Sequence, residues 1–460
     1  WEKDENWKVN FGYAYNPNFK PFEPFKKLKG KSKWLKIVKD FNVNYAPQSL
    51  TFSTDILRRY YELQERDMEN LENQSLPLTW SSDFTWNRNF ALRWDLAKSL
   101  HFNFSSGTNA EVEQPYTAVN EDLYPDRYTA WKDSVWQSIR HLGTPLTYQQ
   151  NFDASWQVPL NKLPLFDWLT ADAKYNATYN WNRGTSLSTG MNMGGVVSSS
   201  RTASGNIRLK METLYNHIPF LKEANKRFST SGINSAANKK NQAKKNYTSE
   251  VQLKPDTTVT VKHNQRSKKL RVTALRPDGT KYPVKFKVLD NNSIQILSQD
   301  TVKVKITVQS KKRKEEQGWY QGLQLTARVA MLVRNVSVSY TNKYSMALPG
   351  FLPLAGDIFG QRATDGGYAP GLRFAFGMVD DSYIDHAVRQ GWLLQSDSII
   401  TPATSNMGED LQIRATLEPF TDVKIDVNAS RATSQNSSTQ YMIEGMPRTY
   451  SGSFNMTTMS

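Results

Sequence analysis

Leu169-Thr-Ala-Asp-Ala-Lys-Tyr175-Asn-Ala-Thr-Tyr-Asn-Trp181 alternates without a break. Odd positions give Leu169, Ala171, Ala173, Tyr175, Ala177, Tyr179 and Trp181. Even positions give Thr170, Asp172, Lys174, Asn176, Thr178 and Asn180. A strand sends successive side chains to opposite faces. One face is therefore apolar and ends in aromatics, and the other is hydrated. The pattern predicts a membrane-spanning barrel strand with the odd set on lipid and the even set on a water-filled lumen. A sandwich strand with one face in a protein core is the competing reading. Length weighs against it, because usual globular strands run about 5–6 residues.

The alternation recurs on both sides of this stretch. Val9, Phe11, Tyr13 and Tyr15 alternate with polar or small residues, as do Leu50, Phe52, Thr54 and Ile56. Phe84, Trp86, Phe90, Leu92 and Trp94 belong to another such segment, and Phe152, Ala154, Trp156 and Val158 to a further one. Several pair across short connections, at 96–100, 159–164, 334–335 and 418–422. The last two join Ala327–Val333 to Val336–Tyr340, and Leu411–Leu417 to Val423–Val427. Short turns on one rim and long loops on the other is the style of an outer-membrane barrel. Strand direction does not alternate simply across 205–335 or 341–411, so each span needs an extra crossing or an excursion.

Three regions follow. Residues 1–230 read as barrel strands with long loops and helices near 60–73 and 127–142. In the second helix Tyr128, Trp131, Val135, Ile139 and Leu142 keep helical spacing and Gly143 follows as a C-cap. Residues 231–318 read as a small, basic, soluble β-domain with flexible flanks that hold Lys239, Lys240, Lys244, Lys245 and Lys311-Lys-Arg-Lys314. Residues 319–460 read as barrel strands with Gly/Pro-rich loops. The fold class is thus all-β membrane protein.

Composition agrees. The 460 residues include 13 Trp, 21 Tyr and 21 Phe. The mean hydropathy is only −0.63. Many aromatics exclude wholesale disorder, and low hydropathy suits strands with one wet face. No apolar run reaches the about 18 residues of a membrane helix, which leaves strands as the spanning elements. The chain has no cysteine, so disulfides and thiolate metal sites are excluded. It opens at Trp1 and closes at Ser460 inside alternating sequence, and reads as an interior portion of a longer protein.

Catalytic motifs are missing from the sequence: there is no phosphate loop, metalloprotease helix motif or serine-hydrolase elbow. The expectation is no enzyme and no cofactor. Asp380, Asp381, Asp385 and His386 offer oxygen ligands of the calcium type, but a solvated loop accounts for them without metal. The net charge of +15 raises a nucleic-acid reading through the lysine runs. Solvated linker charge, or attraction to anionic lipopolysaccharide headgroups, explains it better, and no nucleic acid is expected.

An ordered set of segments resembles the SprA/Sov family. Phe41–Arg66 comes first, then Gly143-Thr-Pro-Leu-Thr-Tyr148, Pro159-Leu-Asn-Lys-Leu-Pro164, Tyr179-Asn-Trp181 and Leu214-Tyr-Asn-His-Ile-Pro219. Leu348-Pro349-Gly350-Phe351, Ala369-Pro-Gly371, Gly391-Trp-Leu393 and Leu417-Glu-Pro419 follow. Their order spans nearly the whole chain, and 231–318 carries the least of it. The resemblance implies a portion of a very large antiparallel outer-membrane barrel, the protein-conducting translocon of the type IX secretion system. It implies folded cargo with C-terminal signal domains, such as secreted enzymes and gliding-motility adhesins. It also implies a periplasmic plug protein and a small cargo-collecting barrel as partners. Leu348, Pro349, Gly350 and Phe351 are candidates for a loop contact, or for a tight turn that needs glycine. A porin-like or TonB-dependent solute barrel and a soluble multidomain β adhesin or binding protein are the alternatives.

Overall fold

The structure, a computed structural model, describes residues 1–26, 38–65, 76–184, 193–227, 246–255, 257–265, 268–310, 318–395, 401–420, 423–442 and 446–458, without the side chains of Asn161, Gln321 and Phe420. The chain divides into two compact units. The first holds Trp1–Lys210, Asn335–Thr416 and Asp426–Ser460, and the second Met211–Arg334 and Leu417–Ile425.

One sheet of eleven strands dominates. Its members are β1 (Glu2–Tyr15), β2 (Ser49–Leu63), β3 (Thr79–Ala97), β4 (Leu100–Glu111), β5 (Thr144–Val158), β6 (Leu169–Asn182), β7 (Gly195–Lys210), β15 (Val333–Phe351), β18 (Ala403–Phe420), β19 (Val423–Thr439) and β20 (Thr449–Thr457). They lie side by side in that order, so every strand neighbours the next sheet strand in the chain. The sheet is antiparallel, and the alternation that sequence shows matches a long, two-faced ladder.

The connections differ by rim. At the rim of Ala97 and Leu100, only two residues join β3 to β4. A 3₁₀ turn at Pro159–Lys162 helps join β5 to β6 on that rim. The chain also leaves β7 and returns to β15 there, with Lys210 paired to Asn335. The puzzle over 205–335 resolves as an excursion: β7 and β15 are direct neighbours, with 211–332 looped out between them. The span 341–411 resolves likewise. β15 runs to Phe351, the chain makes an excursion through 352–402, and β18 begins at Ala403.

On the opposite rim the excursions carry helices. α1 (Pro125–Arg140) lies where the helical spacing places it. Pro125 opens it, as a residue with no N–H to lose, and Leu142 and Gly143 close it with φ of +64° and +70°. Trp131 and Val135 bury against Tyr60, Phe84, Val112 and Val119.

Two expected elements and the turn expected at 334–335, which lies inside β15, need correcting. Residues 60–63 of the expected 60–73 helix are strand, because Arg58, Tyr60 and Glu62 continue the β2 alternation opposite Phe84, Ser82 and Trp80; residues 66–73 lie outside the described residues. Ala327–Ala330, expected as strand, ends α4 (Gly318–Ala330) instead. A run of alternation across a helix end and the start of β15 imitated one strand.

The second unit contains α2 (Met211–Asn216), α3 (Pro219–Arg227), α4 and seven short strands. These are β8 (Tyr247–Leu253), β9 (Thr258–Lys262), β10 (Leu270–Leu275), β11 (Lys281–Tyr282), β12 (Lys285–Val288), β13 (Ser293–Leu297) and β14 (Val302–Ser310). They form two sheets, β11-β10-β14-β8 and β12-β13-β9. Leu253, Val261, Ile294, Ile296, Val304 and Ile306 fill the core they share. The unit begins at Met211 rather than 231, since α2 and α3 belong to it. The lysine runs at 239–245 and 311–314 lie outside the described residues.

Candidate membrane belt and channel face

Register assembles each face residue by residue. On one face, Leu50, Leu92, Phe104, Phe152 and Ala177 form a row across β2–β6. Below it run Trp94, Phe102, Ala154, Tyr175 and Ala203. Next come Leu100, Trp156, Ala173, Gly205 and Tyr340, then Val158, Ala171, Ile207 and Val338. Leu169, Leu209 and Val336 close the series at the short-turn rim. Rows of one face are two residues apart, about 6.8 Å along a strand, so five rows span roughly 27 Å. The chain's own excursion covers the first two of these rows around Phe104, Phe152, Tyr175 and Ala177, so the three rows that stay open there span roughly 14 Å. Large side chains on this face stay open: Tyr15, opposite Leu50, is 42% exposed, Trp156 46%, Ile207 44% and Tyr340 42%.

The reverse face is built from hydroxyls, amides and charges. Gln157, Asp172, Asn206 and Ser339 share a row, as do Asp153, Asn176, Thr202 and Lys343. These groups bond to one another. Asn176 Nδ2 donates to Asp153 Oδ1 at 2.7 Å and to Asn151 Oδ1 at 3.0 Å. Asn206 Nδ2 donates to Asp172 Oδ2 at 2.9 Å, and Ser339 Oγ donates to Asn206 Oδ1 at 2.7 Å. The hydroxyls of Thr178 and Ser200 lie 2.6 Å apart. Thr170, Asp172, Lys174, Asn176, Thr178 and Asn180 therefore share one polar face with partners from β5 and β7.

The odd set of β6 splits in two. Leu169, Ala171 and Ala173 lie in the open band. Tyr175, Ala177, Tyr179 and Trp181, expected on lipid, are covered by the chain's own excursion after β15. α5 (Leu372–Ala375) sits across β5–β7: Gln150 Nε2 donates to the Ala375 carbonyl at 3.1 Å, and Ser199 Oγ to the Phe374 carbonyl at 2.6 Å. The Tyr179 ring meets Phe374 edge-on at 5.8 Å, and Trp181 Nε1 donates to the Pro353 carbonyl at 3.1 Å. Tyr175 donates its phenol proton to the Phe376 carbonyl. The aromatic end of the alternation is a protein core, not an interfacial girdle. The alternation of β6 gave no sign of this cover, which depends on contacts about 200 positions apart. The one local signal was the aromatic run of Phe359, Phe374 and Phe376 among glycines.

Leu348, Pro349, Gly350 and Phe351 form no exposed loop. They end β15, with Leu348 and Phe351 fully buried. Gly350 takes φ +71° at a bulge, and a Cβ there would meet Tyr441 Oη at 2.6 Å. The bulge admits glycine because any Cβ would meet that phenol, which donates to the Pro349 carbonyl.

The acidic stretch near α6 (Ser382–Arg389) is engaged by protein groups. Asp381 accepts from Tyr344 Oη at 2.8 Å and Ser405 Oγ at 2.6 Å. Asp385 pairs with Arg448 at 2.6 Å. The Ser382 hydroxyl holds the Asp380 carboxyl below its ordinary value. Burial pushes the Tyr383 phenol up, and it donates to the Pro370 carbonyl at 2.6 Å. Among the described residues no group of three or more acidic or histidine side chains is placed to hold a metal, and no helix is long and apolar enough to cross a membrane.

A scan of known protein-family models finds none that matches this chain, and a search of curated proteins finds no match either.

Proposed function

We propose that the eleven-strand sheet is one arc of a large outer-membrane barrel, and that the barrel is the protein-conducting translocon of the type IX secretion system. One observation carries the membrane reading: an apolar face five rows tall, open in the three rows nearest the rim of Leu169 and backed by a self-bonded polar face. Strands can cross lipid only where all backbone groups are paired, which closed sheets achieve. In this reading Leu169, Ala171 and Ala173 contact lipid, and Thr170, Asp172, Lys174, Asn176, Thr178 and Asn180 line a wet channel. The translocon assignment rests on the ordered segments that resemble the SprA/Sov family. It brings folded cargo with C-terminal signal domains, a periplasmic plug, a small cargo-collecting barrel and outer-membrane lipopolysaccharide as partners.

Paired substitutions test the two faces. Ala173→Arg is expected to cost about 2–4 kcal/mol if the position lies near the bilayer midplane, and Asn176→Arg to be tolerated. Equal losses of assembled protein would sink the barrel reading. Fractionation of source cells with an antibody to 231–318 tests the location. A carbonate-resistant outer-membrane band much larger than 52.6 kDa supports the proposal; a soluble band near that mass overturns it.

A further inference from the structure

One sheet of the second unit presents an outer face that bears cations and no carboxylate. Sheet β12-β13-β9 turns Val261, Ile294 and Ile296 into the core. The alternate residues therefore face out, and the register sets them in three rows. Lys285, Leu297 and Thr258 form the first row. Lys287, Gln295 and Thr260 form the second, and Lys262 stands in the third. Rows are about 6.8 Å apart and strands about 4.8 Å, so the three lysines run diagonally across roughly 17 Å of sheet. All three are exposed, and among the described residues none of them forms a salt bridge.

The imbalance begins in the sequence. Residues 246–310 hold twelve lysines and arginines against five acids. The acids that the structure describes are engaged elsewhere. Glu250 pairs with Lys303 on the other sheet. Asp278 accepts from the Thr280 amide and hydroxyl, and Asp290 from the Asn292 and Ser293 amides, so both shape turns. Asp300 accepts from Tyr282 Oη at 3.3 Å. The field of the three lysines is left to whatever approaches from solvent.

The chemistry of the face selects its partner. Protein interfaces favour aromatics, Met and Arg and are poor in Lys, whereas these rows hold Lys, Thr, Gln and a single Leu. Single-stranded nucleic acid needs rings on which its bases stack, and the rows contain none. A bilayer takes up a broad apolar face, and Leu297, 49% exposed, is alone here. Separated cations with hydroxyls and an amide between them match a chain that carries spaced anions among hydroxyls. Lysine suits phosphate as a point charge. We infer that the outer face of β12-β13-β9 binds a phosphate-bearing glycan, with Lys262, Lys285 and Lys287 on phosphate and Thr258, Thr260 and Gln295 on sugar hydroxyls. The inference needs no membrane around the eleven-strand sheet, and its failure would leave the barrel reading as it stands.

The test measures binding of the intact protein to the core oligosaccharide of lipopolysaccharide, released from its acyl chains with the phosphates kept. The triple variant Lys262→Glu/Lys285→Glu/Lys287→Glu is compared with Arg271→Glu/Lys281→Glu/Lys305→Glu. The second triple makes the same change of charge on the other sheet, β11-β10-β14-β8. The first is expected to weaken binding about a hundredfold, at about fivefold per lysine near an anionic surface. The second is expected to leave it nearly unchanged. Lys262→Gln/Lys285→Gln/Lys287→Gln, which adds no new charge, should also lose affinity; a loss confined to the Glu triple overturns the inference. Equal losses in the two Glu triples overturn it as well, as does unchanged affinity for the oligosaccharide after its phosphates are removed. Tighter binding of oligothymidylate would assign the face to nucleic acid, and tighter binding of phosphatidylglycerol vesicles to a membrane surface; either result overturns the glycan.

Discussion

Glu418 holds two guanidinium groups at once, Arg328 at 2.8 Å and Arg334 at 2.9 Å. Both arginines are almost fully buried, so loss of the carboxylate leaves two poorly solvated cations. Removing one partner of a buried ion pair costs about 3–5 kcal/mol. Because Glu418 is itself partly exposed, the lower end applies. Glu418→Ala is expected to destabilise the second unit by about 3 kcal/mol, read as a lower urea midpoint in pulse proteolysis. An unchanged midpoint would show that the cluster adds nothing. Gly360 is a second sensitive residue. Its φ is +64°, and a Cβ there would meet ring carbons of Tyr179 at 2.3 Å and Tyr148 at 2.8 Å. The Gly360→Ala variant should lift the cover from β5 and β6 and speed tryptic cleavage at Arg362 and Arg373. Cleavage at the parent rate would mean that the contact is not needed for docking.

At the scale of elements, legibility followed locality. The long strands were readable because each carries its two environments in its own alternation, as Leu169–Trp181 does. α1 was readable because one of its stripes is buried in the ordinary way. α4 was not, since its stripe points outward and its last turn merges with the alternation of β15. The cover after β15 was illegible for a different reason: Tyr179 has the same identity whether lipid or Phe374 lies beyond it. The strands of the sandwich follow local alternation too, and here a titratable group enters. His263 is 2% exposed, and burial lowers its pKa from the ordinary 6.5. It accepts from the Gln265 amide, while Asp290 nearby opposes the shift. The unfolded chain therefore binds this proton more readily than the folded one. The stabilising contribution is complete above about pH 6.5 and is lost as pH falls below that toward the lowered folded value. Protection factors at Val261 and Ile294, corrected for the intrinsic exchange rate at each pH, should fall as pH drops from about 6.5 to 5.5. A His263→Leu variant should remove the fall, and a fall that persists in it would place the titration elsewhere.

Across the whole sheet, eleven strands spaced about 4.8 Å apart span roughly 50 Å. In the described ladders the register slips at three places, Trp94/Ala97, Asn109/Ala110 and Pro349/Phe351, each close to a strand end. Between these places, inside and outside are assigned by counting in twos. The strands thus carry a reading frame. Deleting Asn176 alone inverts one half of β6, carrying either Asp172 and Lys174 onto the apolar face, toward lipid in the proposed reading, or Tyr179 and Trp181 out of their core onto the polar face. Deleting Asn176 and Ala177 together shortens the strand and preserves the frame. The single deletion is expected to abolish assembly into the membrane and the double to permit it, as judged by heat-modifiable migration of the protein. For inheritance, the strands of such a sheet accept changes of length only in even steps, while its excursions are free to grow by any number. The elaborate domains therefore sit where counting does not matter.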